Sequence, residues 1–218
     1  MGLAVRRSYQ DKIIDAFLTL YLIYDVFKHL RFLEMTRVQK LVFLSEWKMI
    51  DNRRKGFNFN FVKLLYGPYS RELQNTISKL IMHGLLNDSD LRPTKLAMEI
   101  IDDFNDVLRR NEEFIRVIQE INRNYSKVPL QELLEEIYDM PHPYIKGKTI
   151  REVAIGTQIL YTLKKEKAIS AFKITEDEFE DLAICIDPKI QESLTKAMES
   201  IRNKHLKTHK EVFGAVRT

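Results

Sequence analysis

The chain is predicted to be mainly α-helical, with a winged-helix-like N-terminal half containing a small β hairpin, followed by a helical C-terminal region. Three observations predict this. Seven Gly and six Pro in 218 residues are few, which favours helices over a sandwich or barrel built on tight turns. Apolar residues recur at three- and four-residue steps over most of the length, the period of a helix with a buried face. Residues able to cap a helix stand before most such runs, namely Ser8, Thr36, Ser70, Thr94, Thr149 and Thr175. A chain of this length holds one large or two small domains. We place a winged-helix-like domain with an N-terminal apolar helix at 1–110, and a helical domain or extension at 111–218.

Ser8 with Asp11 resembles a capping box, Asp standing in for Glu. The helix it opens is expected to run to about Leu33. Ile13, Ile14, Phe17, Tyr21, Tyr24 and Phe27 form one stripe, while Leu18, Leu20, Leu22 and Ile23 fill the other faces. A helix apolar all round is buried on more than one side. It is either the central helix of the fold or the seat of a second subunit. Its greasiest run, Ala16 to Tyr24, is too short to span a membrane, which takes ~20 apolar residues.

Thr36 and Gln39 give the next capping signal, for a helix from Arg37 to Ile50 packed through Val38, Leu41, Val42 and Trp47. The basic turn Asp51 to Gly56 ends it. Phe57, Phe59 and Phe61 alternate with Asn58 and Asn60, a strand period that would turn the rings inward and the amides outward. Val62 to Tyr66 fits one helical turn. Gly67 and Pro68 then turn the chain. Ser70 caps an amphipathic helix with Leu73, Ile77, Leu80 and Ile81 on its inner face and Gly84 just past its end. Leu85-Leu86 and Leu91 to Pro93 would be the arms of a hairpin around Asn87 to Asp90.

Thr94 caps a long helix through Ile100, Phe104 and Leu108 to about residue 123, either as one helix or as two broken near Arg110-Asn111. A short helix follows over Leu130 to Tyr138. Asp139 to Gly147 contains two Pro and a Gly and excludes a regular element. This loop either presents a partner-contacting surface or is a connector packed by Tyr144 and Ile145. Thr149 with Glu152 is read as opening a helix through Leu163, and Thr175 with Glu178 as opening another. Asp187-Pro188 starts the last helix, with Ile190, Leu194, Ala197, Met198 and Ile201 as its buried stripe.

The net charge of +4 is unevenly spread. Residues 1–110 hold 18 Lys/Arg and 13 Asp/Glu, residues 111–218 hold 17 and 18, and the stretch 36–95 holds 11 and 5. The surplus lies where a polyanion would be met; ordinary surface variation is the alternative. The lone Cys185 excludes an intrachain disulfide, and Met1 to Gln10 lacks a secretory leader, so a reducing, cytoplasmic setting is expected. The acids from Glu176 to Asp181 suit a helix N-terminus rather than a metal. The glycines fit no phosphate loop, His205 and His209 lack a third metal ligand, and no nucleophile elbow occurs. No catalytic residue, cofactor or metal is therefore expected.

The order of helix, short strand, short helix, long helix, hairpin and helix is that of a winged helix. The first expectation is a non-enzymatic, DNA-binding regulator of prokaryotic or viral type. The helix launched by Ser70 would enter the major groove. Arg71, Gln74, Asn75 and Ser78 would face base edges. Lys79, Arg92 and Lys95 would meet phosphates, flanked by Arg53, Arg54 and Lys55. The alternative is a module that binds a protein through Tyr66, Tyr69, His142 and Tyr144, tyrosine being favoured at interface centres. The first and last helices would pair protomers in a homodimer. No membrane partner is expected.

One set of motifs resembles a known family. Lys40-Leu-Val-Phe-Leu44, Phe57 and Phe59, Tyr66-Gly-Pro-Tyr-Ser70 and Leu80 with Gly84-Leu-Leu86 look like the Panacea domain, which includes antitoxins and phage-associated proteins of the SocA kind. Tyr138, Pro141, Pro143 and Tyr144 resemble a stretch near that family's end. The match covers roughly 36–145. It leaves the long apolar helix before it and the capped helices after it outside the pattern. The resemblance implies a non-enzymatic protein that recognises a toxin or adaptor partner.

Overall fold

The computed structural model describes residues 7–202. Helix α1 (Tyr9–Val26) takes the central position, with α2 (Met35–Asp51), α3 (Arg71–Met82), α4 (Lys95–Asp103), α6 (Glu112–Tyr125) and α8 (Glu176–Ile186) packed around it. Its apolar residues on every face, including Phe17, Leu18, Leu20, Leu22 and Ile23, are buried for this reason. The Ser8–Asp11 capping box forms in both directions. The helix stops at Val26, short of the expected Leu33. The N–H groups of Lys28 and His29 turn back to the carbonyls of Asp25 and Val26, and the chain then buries Leu33.

The cap expected at Thr36 is not used. Helix α2 starts at Met35, two residues before the expected Arg37, with no side-chain cap on it. Gln39 points inward and grips Ser70 instead, donating to its carbonyl at 3.0 Å and accepting from its N–H at 2.8 Å.

Residues 57–60 are extended but pair with no strand. Their backbone donors go to carboxylates of three different helices. Asn58 N–H donates to Asp15 of α1 at 2.8 Å, Phe59 N–H to Glu46 of α2 at 3.2 Å, and Asn60 N–H to Glu72 of α3 at 3.1 Å. Buried backbone donors need acceptors, and here side chains replace a sheet partner. The rings of Phe57, Phe59 and Phe61 are buried as expected. Asn58 is buried too, contrary to the outward placement read from alternation; its amide is held by Asp15 and the Gly56 carbonyl.

The stretch expected as a helical turn is strand β2 (Phe61–Leu64). It runs antiparallel to β3 (Gly67–Tyr69) on one side and to β4 (Gln158–Leu160) on the other, in the order β3-β2-β4. A second, two-stranded sheet pairs β1 (Arg54–Lys55) in parallel with β5 (Ser170–Ala171). The hairpin expected after α3 is reduced to one antiparallel bridge, Leu86 to Pro93.

The long helix after Thr94 is three: α4, α5 (Asn105–Arg110) and α6, broken at Phe104 and again at Asn111. Asn111 is buried and used across the fold. It donates to the carbonyls of Val107 and Lys173 and accepts from Lys173 N–H at 2.6 Å. Helix α7 (Leu130–Asp139) and the irregular loop after it stand where they were expected.

The helix expected from Thr149 to Leu163 is absent. Thr149 does bond Glu152, but Gly156 adopts φ +86° and the edge of β2 captures Gln158 to Leu160. The Thr175–Glu178 capping box opens α8, and Pro188 opens α9 (Pro188–Arg202). Within α9, Ala197 and Met198 are exposed rather than buried. The side chains of Leu194 and Ile201, and the basic tail with His205 and His209, lie outside the described residues.

Buried apolar side chains form a core that continues past residue 110, with α6 against α1 and α2, and α8 against α1. No helix among the described residues is long and apolar enough to cross a membrane.

Candidate functional site

Two surfaces carry the residues singled out in the sequence, and both grow from the Tyr66–Ser70 turn. On one side of it stands α3. Ser70 caps the helix through its hydroxyl, which accepts from Leu73 N–H. Tyr69 donates to Gln74 Oε1 at 2.6 Å. The far end closes in a Schellman motif: Gly84 takes φ +65°, its N–H donates to Ile81 and that of Leu85 to Leu80. Leu73, Thr76, Ile77 and Leu80 are buried, so Arg71, Gln74, Asn75, Ser78 and Lys79 all face outward. Among the described residues, Arg71, Asn75, Ser78 and Lys79 have no hydrogen-bond or ion-pair partner.

The other basic candidates are engaged within the chain. Arg53 sits at φ 53° and donates to the Lys167 carbonyl. Arg54 pairs with Glu113 at 2.8 Å, and Lys55 with Asp11 at 3.2 Å, which ties β1 to α6 and α1. Arg92 is held by Asp90, by the Arg31 carbonyl and by the face of Phe27. Lys95 pairs with Glu99 on the outside of α4.

The second surface is the tip of the β2–β3 hairpin. Leu65 and Tyr66 are 72 and 73 % exposed, and Leu64 stands beside them. The turn is fixed from below. The Lys40 ammonium, buried under it, donates to the Pro68 carbonyl at 2.9 Å, and burial pulls its pKa down to about 8. Gly67 lies at φ +82°, and a Cβ there would stand 2.7 Å from Leu134. The Tyr138 hydroxyl donates to the Leu65 carbonyl at 2.8 Å. Lys63 and Arg151 both sit against the Tyr138 ring. Lys63 donates to the carbonyls of Arg151 and Val153, so the segment before β4, with exposed Ile155, borders the tip.

Helix α7 ends at Asp139, one residue past Tyr138, and leads directly into the 140–149 loop. His142 is buried there, its Nδ1 accepting from the N–H groups of Tyr144 and Ile145. The Tyr144 hydroxyl accepts from Tyr161 N–H, next to β4, and its ring leans on Tyr161. Of the four residues proposed for a protein partner, Tyr66 and Tyr144 are exposed, Tyr69 is half-buried against Gln74, and His142 shapes the loop from inside.

Sequence reasoning passed over Lys63, Leu65 and Arg151, which complete the tip with Tyr138. It also passed over a buried charged cluster behind the 56–60 segment. Asp15 and Glu46 are fully buried there, with Arg7 2.5 Å from Asp15. Burial raises Asp15 to about 6 against the pull of Arg7, and burial and the nearby Asp15 push Glu46 well above the usual carboxylate range. The local signal for the cluster is weak: it takes one acid from α1 and one from α2, and nothing adjacent sets Asp15 or Glu46 apart from the other acids of those helices.

Comparison with known proteins yields no match: no family model, no curated protein and no solved structure is significantly similar to this chain.

Proposed function

We propose that this chain is a non-catalytic module that binds a protein partner through the β2–β3 hairpin tip and the loop that follows α7. The observation that carries the reading is the tip itself. Large apolar side chains are held out of the core by a turn fixed at Lys40, Gly67 and Tyr138. A rigid aromatic on a prearranged turn costs little entropy to bury, which is how interface anchors work. Scattered exposed apolar residues need no explanation, but neighbouring ones on a fixed turn fit a contact site. The resemblance to the Panacea family points the same way, toward a toxin or adaptor.

A second reading, duplex DNA binding by a winged helix, rests on the unpartnered outer face of α3. Against it, Arg54, Lys55, Arg92 and Lys95 are all paired with acids of this chain, and the turn beside α3 carries Asp88 and Asp90. Those acids oppose phosphate contact.

The test is affinity purification of the tagged chain from its native host, together with a salt series on random duplex DNA. A protein partner is expected in fixed stoichiometry. It should be lost in the Leu65→Ser, Tyr66→Ser double variant, whose exposed positions should leave stability within about 0.5 kcal/mol of wild type. A chain that purifies alone and binds DNA with steep salt dependence, abolished by Arg71→Ala with Lys79→Ala, would overturn the first reading in favour of the second. Light scattering on the same preparation separates a second copy of this chain from a different partner.

A further inference from the structure

A cleft of about 280 Å³ opens between α2, α6 and α7, near the lower end of the range for small-molecule sites, ~300–1,000 Å³. Its floor is apolar, formed by Leu44, Ile121, Leu133 and Ile137. Its walls carry two half-buried aromatic rings, Trp47 of α2 and Tyr125 at the end of α6. The rim holds three carboxylates, Asp51, Glu120 and Glu136, and one cation, Lys48. Lys48 is already paired with Glu120. Asp51 and Glu136 are exposed at the mouth and in no ion pair among the described residues, and Glu136 lies beside the Tyr125 hydroxyl.

Aromatic walls and a negative rim select one kind of ligand. The faces of Trp and Tyr attract a cation through the ring quadrupole, Trp most strongly. Carboxylates beside an apolar floor act through a lower effective dielectric than in open water, so their pull is stronger. An anion of the same size would meet the opposite field, and a neutral molecule would gain only from the floor.

We propose that this cleft binds a small organic cation with an apolar body, of the alkylammonium type. The hairpin tip plays no part in it, so the site stands whether or not that tip binds a protein.

Trp47 is the chain's single tryptophan, so its emission reports on the cleft directly. The full-length chain is titrated with hexyltrimethylammonium chloride, 1-hexanol and sodium hexanoate, with far-UV circular dichroism recorded at each concentration. The cation should shift Trp47 emission saturably, at about one tenth of the hexanol concentration. Hexanoate should leave it unmoved. Glu136→Gln should weaken the cation about threefold to tenfold and leave hexanol unchanged. If that variant melts below wild type, the exposed Asp51→Asn takes its place with the same expected direction. Equal half-saturation for cation and alcohol, no emission change with the cation, an emission change that tracks loss of helix, or carboxamide variants that bind as wild type would each overturn the proposal.

Discussion

Glu46→Gln should make the protein more stable, and increasingly so as pH rises. The Glu46 side chain is fully buried; one oxygen accepts from Phe59 N–H at 3.2 Å and the other has no hydrogen-bond partner. Burial first, and the charge of Asp15 second, push its pKa well above the ordinary 4.5. The folded state therefore holds a proton that the unfolded chain gives up. Stability from this group is full below the unfolded pKa and falls as pH rises toward the folded one. While Glu46 keeps its proton in the fold, each pH unit above the unfolded value removes about 1.4 kcal/mol. Glutamine has the same shape, can accept from Phe59 and has no proton to lose.

The two proteins should thus unfold alike near pH 4 and diverge above it, by about 1.4 kcal/mol per pH unit for as long as Glu46 keeps its proton in the fold. In a chain of this length that is roughly 3–5 °C in Tm per unit. Asp15, raised from 3.8 to about 6, adds to the same fall in both proteins, worth ~3 kcal/mol between those values. Urea and thermal unfolding from pH 4 to 8 measure this. A constant offset across pH, or a variant weaker than wild type at pH 8, would refute the buried-proton account.

Three further outcomes follow from the same contacts. Lys40→Met should stabilise the fold by about 2 kcal/mol at pH 7: a buried ammonium with its pKa lowered from 10.5 to about 8 costs ~3.4 kcal/mol until it deprotonates, and the Pro68 carbonyl left without its donor offsets ~1–2 kcal/mol of that. The wild type should gain about 3.4 kcal/mol as pH rises from 8 toward 10.5, where the folded state releases its proton first, and so overtake the variant; urea midpoints across that range check it. Gly67→Ala should cost about 2 kcal/mol in urea unfolding, since its φ of +82° is strained for alanine and the new Cβ would strike Leu134. Asn111→Ala should cost about 2–3 kcal/mol in the same assay by stripping three bonds, two of them to Lys173 across the fold.

Features readable from a few adjacent residues were legible. Ser8 with Asp11, Ser70, Thr94 and Thr175 with Glu178 all cap the helices expected of them, and Gly84 ends α3 with a positive φ. The outward set on α3, Arg71 through Lys79, followed from period alone, since Leu73, Ile77 and Leu80 leave only one face free. What failed depended on distant competition. Thr149 and Glu152 bond as a capping pair would, yet no helix forms, because β2 offers an edge to residues more than ninety positions away in sequence. Asn58 was read as outward because alternation says nothing of a buried acid waiting on α1. Arg54 and Lys55, expected to flank a phosphate-contacting face, pair with Glu113 and Asp11 instead; nothing near Arg54 announces Glu113.

The sequence by itself determined that this chain is mainly helical, where most helices begin, and which face of α3 turns to solvent. These rest on capping chemistry and period, which act within a few residues. Only the tertiary structure decided that segment 57–60 hangs on carboxylates from three helices, that β4 joins β2, and that Leu65 and Tyr66 stand out on a turn fixed by Lys40 and Tyr138. Each of those depends on a polar group finding its partner across the fold. A buried donor or charge must be satisfied somewhere, but local sequence does not say where.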